Sequence, residues 1–438
     1  MKYNCILIGI DEIWTKSENV KNKLINLLIN DIKRRINYDK IENRRGRIII
    51  WDYNDQWINI LEKIFGIKVI YPAFYFETSM ENIINYSLEF LKDFKGTFKI
   101  NTKRIDKSFK YKSLEINKIV GEEIVKKYNL KVDVKNPQKE IYIEIHKDYT
   151  FIYDKIIQGP GGFPLGSEGK GIVLFSGGSD SSVASYMMGK RGMNVDFLFI
   201  NLAGESYLQF IFNVYKRLRE YFPYSKLFVY DLDLDKLFSV REGYRQIMFK
   251  VIIYKIAEEF AKKYNYDCII TGESLGQVSS QTISSLKVLD KISNILVLRP
   301  LIGFNKDEIL ELSKKIGIYD IRAPEICEIE KHPKTNPKYE IVLEELKKLD
   351  INFEKEIENI KEIENVNIQN FNLVLPDKKD LIIVRSEDFS NYKFEKGKKY
   401  LLVCKNGILS KYFAESLRKE GIEAYYLDEK TAKRLNYL

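Results

Sequence analysis

Hydrophobic and polar positions alternate along this chain with the two periods that distinguish strands from helices. In residues 1 to about 77, strand patterns such as YNCILIGI and RIIIWDY are separated by helical patterns with an apolar stripe. The first helix is expected to open at Ser17 and to bury one face, formed by Val20, Leu24, Leu27 and Leu28. This pattern predicts a small α+β module.

From about 78 to 157 the pattern predicts a helix, a strand, a second helix and a hairpin made of IYIEIHKD and YTFIYDKII. Glycine and proline then dominate QGPGGFPLGSEGK, residues 158–170. Such a stretch interrupts regular structure, so it predicts the clearest domain boundary in the chain.

Residues 171 to about 322 alternate short apolar strands with helices, which is typical of a doubly wound, mainly parallel sheet. A charged stretch over 345–370 predicts a helical connector, and the last 65 or so residues predict another small α/β unit. The fold class is therefore multidomain α/β.

Composition narrows the class of protein. The 438 residues suffice for about three domains, and 45% hydrophobic with 30% charged residues describe a globular chain. No apolar run approaches the roughly 20 residues of a membrane span, and the amino terminus lacks a signal pattern, so a cytoplasmic protein without membrane contact is expected. The four cysteines form no C-x-x-C pair, and neither His146 nor His332 has ligand-spaced partners, so no protein-bound metal is expected.

The positive charge lies mostly at the front of the chain. Of the net +9, residues 1–170 carry 30 basic and 23 acidic residues, a difference of +7. KINTKRIDKSFKYK, residues 99–112, combines six basic residues with two aromatic ones, which fits phosphates and stacked bases. A solvated strand and loop would have the same composition. The candidate RNA-binding residues are Lys103, Arg104, Lys107 and Lys110.

FSGGSDSSVASY, residues 175–186, joins an apolar strand to a helix predicted over Ser182–Arg191. Backbone N–H groups at a helix start lack partners and attract anions, and Gly177 and Gly178 allow close approach of a phosphate. The alternative is a plain glycine turn capped by Ser176 or Asp180.

A second polar loop, TGESLGQVSSQT over 271–282, follows another apolar strand and is expected at the same sheet edge. FNKDEI predicts a helix that starts at Asn305, with Lys306 in its first turn. A cation at the positive end of the helix dipole is unfavourable unless a nearby anion compensates for it.

The cysteines differ in their surroundings. Cys5 and Cys268 lie in apolar strands and are expected in the core. Cys327 lies in an irregular, proline-flanked stretch, which favours exposure. Cys404 sits between a strand and a helix in C-x-x-G-x-x-S, beside Lys405, where the dipole and the ammonium favour a thiolate. The alternative for Cys404 is a buried residue that ends a strand.

Taken together these motifs resemble the tRNA 4-thiouridine synthetase family, also called tRNA uracil 4-sulfurtransferases, in its form with a C-terminal rhodanese-like domain. NTKRIDKSFKYKSLEIN resembles its THUMP segment, SGGSDS its pyrophosphatase-type PP-loop, and LLVCKNGILS its rhodanese loop. The resemblance implies five segments: a ferredoxin-like domain (1–77), a THUMP domain with linker (78–170), a PP-loop ATP pyrophosphatase domain (171–345), a helical linker (346–372) and a rhodanese-like domain (373–438).

The resemblance also implies roles for single residues. Lys306 matches a functional lysine, Cys404 would carry a persulfide, and Cys327 would be its partner. The tRNA-binding role would fall to the four basic residues named above. Asp180 would assist adenylation, and the implied ATP-binding residues are Ser176, Gly177, Gly178, Ser179, Asp180, Ser181, Gly272 and Gln281. Two features depart from the family: Val251 follows Lys250 where many relatives have arginine, and the terminal domain is short.

The implied reaction adenylates the uridine at tRNA position eight with ATP and Mg²⁺ and then transfers persulfide sulfur to give 4-thiouridine. Either the Cys404 persulfide attacks C4 and Cys327 then forms a disulfide with Cys404, or Cys327 first frees hydrosulfide. The implied partners are tRNA and a cysteine desulfurase or other persulfide donor, with a homodimer and a role in thiamine thiazole synthesis left open. Two other functions are a PP-loop ligase for a small molecule and a non-enzymatic sulfur relay or RNA-binding protein.

Overall fold

A computed structural model describes residues 2–13, 16–44, 47–202, 205–322, 329–330, 332–364, 375–389, 391–405 and 407–438. The chain divides into two compact units. The first comprises Met1–Ser167 with Lys190–Gly192, and the second comprises Glu168–Gly189 with Met193–Leu438. The division at Ser167 falls inside the Gly/Pro stretch 158–170.

The first unit combines one large sheet with helices. Its strands are β1 (Cys5–Ile10), β2 (Ile41–Arg44), β3 (Arg47–Ile50), β4 (Ile67–Glu77), β5 (Thr97–Arg104), β6 (Lys131–Val132), β7 (Lys139–Ile145), β8 (Tyr149–Tyr153) and β9 (Ile157–Gln158). Its helices are α1 (Glu18–Arg35), α2 (Asp55–Leu61), α3 (Met80–Leu91) and α4 (Ser113–Tyr128).

These strands form a nine-stranded sheet in the order β2-β3-β1-β4-β8-β7-β5-β6, with β9 paired to β4. The predicted hairpin is present, because β7 and β8 pair antiparallel. One face of the sheet packs against the helices through two apolar clusters. The predicted buried face of α1 is wrong at Val20, which is 42% exposed, whereas Leu24 and Leu28 are buried.

The second unit is built around a six-stranded sheet. Its strands are β10 (Lys170–Leu174), β11 (Asn194–Asn201), β12 (Leu227–Asp231), β13 (Cys268–Ile270), β14 (Leu296–Leu298) and β15 (Lys361–Glu362). Its helices are α5 (Ser179–Lys190), α6 (Glu205–Leu218), α7 (Leu234–Phe238), α8 (Arg245–Lys263), α9 (Ile283–Ile292), α10 (Lys306–Lys315), α11 (Tyr339–Lys348) and α12 (Phe353–Glu356).

The strand order is β14-β13-β10-β11-β12-β15, and all neighbours except β12 and β15 pair parallel. The chain runs outward from β10 to β12 on one side and then returns to place β13 on the other side of β10. This confirms the predicted doubly wound sheet. In such sheets ligands bind where the strand order reverses, which here is the edge after β10 and β13.

Helix α5 begins earlier than predicted. It starts at Ser179, so the expected start at Ser182 is wrong by one turn. Gly177 adopts a left-handed conformation with φ of 69°, which turns the chain sharply enough for the helix to begin two residues later. Asp180 therefore lies in the first helical turn.

The segment between α11 and the last part of the chain is not one continuous helix. Helix α12 has four residues, and β15 then pairs antiparallel with β12 at the edge of the six-stranded sheet. Beyond it, β16 (Leu381–Arg385), β17 (Lys399–Cys404) and β18 (Glu423–Asp428) form a parallel sheet in that order. Helices α13 (Ile408–Lys419) and α14 (Glu429–Arg434) pack against this sheet, giving the predicted small α/β unit.

None of the helices in the described residues is long and apolar enough to cross a bilayer. The same part of the chain also contains no group of three or more His, Cys, Asp or Glu residues arranged to hold a metal ion.

Candidate functional site

The loop after β10 is organised by its own serines. The backbone N–H of Ser176 donates to Ser181 Oγ at 3.2 Å, and the two hydroxyls lie 3.1 Å apart. The N–H of Gly178 approaches Ser176 Oγ at 3.4 Å. These contacts close the loop over the start of α5, where the first helical N–H groups and the positive end of the helix dipole favour an anion.

Helix α10 is tied to this loop by a buried hydroxyl pair. Ser313 Oγ donates to Ser179 Oγ at 3.1 Å, and both side chains are buried. At the other end, α10 starts next to the predicted position, and Asn305 caps it with a side chain that accepts from the N–H of Glu308 at 3.0 Å. This arrangement places Lys306 at the helix start.

Lys306 reaches the carboxylate of Asp180. Its Nζ donates to Oδ1 at 2.8 Å and to Oδ2 at 3.1 Å. Gln277 donates to the same Oδ2 through Nε2 at 2.8 Å. The lysine side chain is 40% exposed and the aspartate side chain 23%, so both remain accessible to a ligand. Sequence patterns paired neither Gln277 nor Lys306 with Asp180.

The loop after β13 packs directly against the first loop. A Cβ on Gly272 would lie 2.6 Å from the backbone carbon of Asp180 and 2.6 Å from the nitrogen of Ser181, so only glycine fits. Gln281, which was expected to bind ATP, is buried, and its Oε1 accepts from the N–H of Ser274 at 3.3 Å. In this structure Gln281 therefore supports the loop backbone.

A buried carboxylate follows Gly272. Glu273 is 1% exposed, and its Oε2 accepts from Tyr254 Oη at 2.6 Å, from Arg299 Nε at 2.9 Å and from Thr271 Oγ1 at 3.1 Å. Lys250 Nζ lies 3.6 Å from the other oxygen. Burial raises the pKa of Glu273, but the charge of Lys250, the Tyr254 hydrogen bond and Arg299 outweigh it and lower the pKa below its usual value.

Two neighbours on α8 have different environments. Lys250 faces Glu273 and keeps 22% of its side chain exposed, whereas Val251 is fully buried in the apolar core. The position that departs from the family pattern therefore lies in the apolar core.

Cys404 ends β17 just before α13, as predicted, and is 4% exposed. Its Sγ accepts from the N–H of Ser410 at 3.3 Å and lies 3.3 Å from Ser410 Oγ. Gly407 has a φ of 81°, which lets the chain turn into the helix. The sulfur thus lies at the start of a helix.

Two of the other cysteines lie in the core. Cys5 and Cys268 are fully buried, which confirms their expected place in the core. Burial raises the pKa of both thiols, that of Cys268 to about 11 with a further contribution from Asp267. Cys327 lies outside the described residues.

The basic segment of the first unit contains two kinds of residue. Lys103, Lys107 and Lys110 are exposed. Arg104 instead donates through Nη1 to the backbone oxygens of Lys107 at 3.4 Å and Phe109 at 3.1 Å, so it also holds the loop together. The rings of Phe109 and Tyr111 pack against the helix-covered core.

Three family patterns match this chain. They are the ThiI ferredoxin-like domain over residues 5–70, the THUMP domain over 77–154, and "Thiamine biosynthesis protein (ThiI)" over 166–351. These matches confirm the ferredoxin-like and THUMP folds expected for the front of the chain and the ThiI PP-loop fold after them. Residues after 351 lie outside all three matches.

Relatives and solved structures agree with these patterns. A probable tRNA sulfurtransferase of Sulfurisphaera tokodaii is 38% identical over 362 residues, covering 81% of this chain and 97% of that protein. One from Saccharolobus solfataricus is 37% identical with the same coverage of both chains. A crystal structure of a 4-thiouridine synthetase–RNA complex with bound ATP has a TM-score of 0.74 at 28% identity and covers 83% of this chain and 100% of that one. A protein from Pyrococcus horikoshii Ot3 has a TM-score of 0.58 at 26% identity, covering 72% and 99%.

Proposed function

The chain belongs to the tRNA sulfurtransferase family, a family of sulfur-transferring enzymes, and from that premise we propose that it thiolates the uridine at tRNA position eight to 4-thiouridine at the expense of ATP. The observation that carries the proposal is the meeting of Asp180, Lys306 and Gln277 at the edge where the strand order reverses. The 4-thiouridine synthetase of similar fold was crystallised with RNA and ATP, which supports the same ligands here.

The proposed ATP site is formed by both loops of the second unit. The N–H groups of residues 176–181 would bind phosphate oxygens, and Lys306 would neutralise their charge. Gly272 permits the loop after β13 to pack closely against the start of α5. Gln281 supports the site indirectly, because its side chain accepts a hydrogen bond from the backbone of that loop. Asp180 contributes a carboxylate at this edge, which would suit a Mg²⁺ ion that is held mainly by phosphates and water.

In the proposed first step, uracil O4 attacks the α-phosphorus of ATP and pyrophosphate leaves. Lys306 and the loop N–H groups stabilise the negative charge that moves onto the departing phosphates. The C4 carbon then bears an adenylate, which is a far better leaving group than the original oxygen.

The proposed sulfur carrier is Cys404, within a rhodanese-like domain at residues 373–438. The hydrogen bond from the Ser410 N–H holds this sulfur at the start of α13. The terminal persulfide sulfur attacks C4 and AMP leaves. Cys327 thiolate then attacks Cys404 Sγ, which forms a disulfide and releases 4-thiouridine; release of hydrosulfide by Cys327 before attack remains the alternative order.

We place tRNA binding on the ferredoxin-like domain (1–77) and the THUMP domain with its linker (78–170), through Lys103, Arg104, Lys107 and Lys110. The PP-loop domain would extend over 171–345 and the linker over 346–372. We further propose that the protein acts in the cytoplasm and receives sulfur from a cysteine desulfurase or a similar persulfide donor. A homodimer is the candidate assembly, and sulfur supply to thiamine thiazole synthesis is a candidate second role.

The decisive assay is pyrophosphate release from ATP with and without tRNA. A tRNA sulfurtransferase releases pyrophosphate only when unmodified tRNA is present. Release with small amine or carboxylate substrates alone would favour the small-molecule ligase, and no release under any condition would favour the sulfur relay.

A further inference from the structure

The carboxylate of Glu273 has two oxygens with different surroundings. Oε2 accepts three hydrogen bonds, from Tyr254, Arg299 and Thr271. Among the described residues, Oε1 is buried and finds no hydrogen-bond partner. Lys250 Nζ lies 3.6 Å from Oε1, within ion-pair distance but beyond a hydrogen bond. An unpaired buried carboxylate oxygen is costly, so it calls for an explanation.

The anchoring partners hold this carboxylate in one place. Tyr254 is fully buried, and Arg299 also donates through Nη2 to Asp290 at 2.7 Å, which fixes the guanidinium. The Glu273 pKa is lowered, so the group is an anion at neutral pH. The anchored carboxylate of Glu273 therefore places Oε1 beside the Lys250 ammonium. A negative charge in a fixed position restricts the positions that the flexible lysine side chain adopts.

Glu273 also adjoins the proposed ATP site. It directly follows Gly272, which packs against the backbone of Asp180 and Ser181, and α8, which carries Lys250, packs against β10 and β13. Lys250 keeps 22% of its side chain exposed, so it is not sealed within the core.

We infer that Glu273 is a positioning residue, which holds the Lys250 ammonium where it meets the phosphate groups of the nucleotide. The inference rests on the proposed ATP site. Glu273 does not touch the nucleotide. It acts through Lys250, and its loss should matter only while Lys250 is present.

A double-mutant cycle tests this coupling. ATP dissociation constants are measured by calorimetry for the full chain, Glu273→Gln, Lys250→Met and the double variant, with melting temperatures in parallel. Gln keeps the volume and the Oε2 contacts but removes the charge. Each single variant is expected to weaken ATP binding about tenfold, and the double variant should bind ATP no more weakly than Lys250→Met alone.

Tyr254→Phe is the matched control, since it removes one Oε2 hydrogen bond while Arg299 and Thr271 still anchor the carboxylate. It should lower the melting temperature and leave ATP affinity within about twofold. If Glu273→Gln does not fold, Glu273→Asp replaces it, because it keeps the buried charge but withdraws it from Lys250; the expected loss of ATP affinity is again absent in the Lys250→Met background.

Two outcomes would overturn the inference. Additive losses in the double variant would mean that Glu273 acts independently of Lys250. A lowered melting temperature with unchanged ATP affinity would mean that Glu273 is only structural. Failure of the unaltered chain to bind ATP would instead reject the proposed ATP site, and the inference with it.

Discussion

Lys306 Nζ donates to Asp180 Oδ1 at 2.8 Å, although 126 residues separate the two in sequence. Asp180 lies in the first turn of α5 and Lys306 opens α10, so two helix starts converge at one sheet edge. A lysine at a helix start opposes the dipole, and the aspartate compensates for it. The pair thereby places a carboxylate and an ammonium group side by side at a site suited to phosphate.

Removing the acidic partner should stop the first chemical step. We expect Asp180→Ala to lower tRNA-dependent pyrophosphate release on the order of a hundredfold. Lys306, which stabilises the charge on the departing phosphates, would lose the carboxylate that holds it in place. The tRNA dissociation constant should stay within about twofold, since Asp180 and the basic segment belong to different compact units. Equal loss of tRNA affinity would contradict this assignment.

The packing of Gly272 gives a steric prediction. Gly272→Ala should destabilise the second unit by about 1–3 kcal/mol and weaken ATP binding, because a Cβ would collide with the Asp180 backbone. Gly303→Ala is the control, since a Cβ there would meet nothing within 4 Å. Thermal unfolding and ATP titration of both variants check the difference, and equal behaviour would contradict it.

The exposed lysines of the first unit should dominate the electrostatic part of tRNA binding. Changing Lys103, Lys107 and Lys110 to Gln should weaken binding and reduce the slope of log affinity against log salt by about 2 to 3, because fewer counterions are released. Arg104 is left in place because it supports the loop backbone. The control changes the three exposed lysines Lys393, Lys396 and Lys398, and an unchanged slope in the first variant would move the RNA surface elsewhere.

The sulfur-carrying role of Cys404 predicts a separation of the two half-reactions. Cys404→Ser should retain tRNA-dependent pyrophosphate release but form no 4-thiouridine, because a hydroxyl cannot hold a sulfane sulfur. Cys268→Ala, in the core, should retain thiolation with a lowered melting temperature. Normal thiolation by Cys404→Ser would show that sulfur arrives by another route.

Much of the fold could be predicted because it depends on local patterns. The parallel sheet follows from alternating strands and helices, and the start of α10 follows from the capping side chain of Asn305. The start of α5 was misplaced, since a serine-rich stretch carries no clear helical period and the turn depends on the left-handed conformation of Gly177.

The partners within the site could not be predicted in the same way. Gln277 and Lys306 meet Asp180 because segments that follow different strands come together at one edge of the folded sheet. Glu273 meets Lys250 through the packing of α8. The strand character of β15 was also missed, because its two residues lie in a charged stretch and pair with β12 only in the folded unit. Such contacts depend on tertiary structure rather than on local preference.

ATP-dependent thiolation of tRNA is tested by nucleoside mass spectrometry of unmodified tRNA after incubation with the protein, ATP, Mg²⁺ and a persulfide donor. We expect 4-thiouridine to appear at position eight, to require ATP, and to be lost in Asp180→Ala. Absence of 4-thiouridine with the unaltered protein, or its formation at the same level without ATP, would rule out ATP-dependent thiolation of tRNA by this chain.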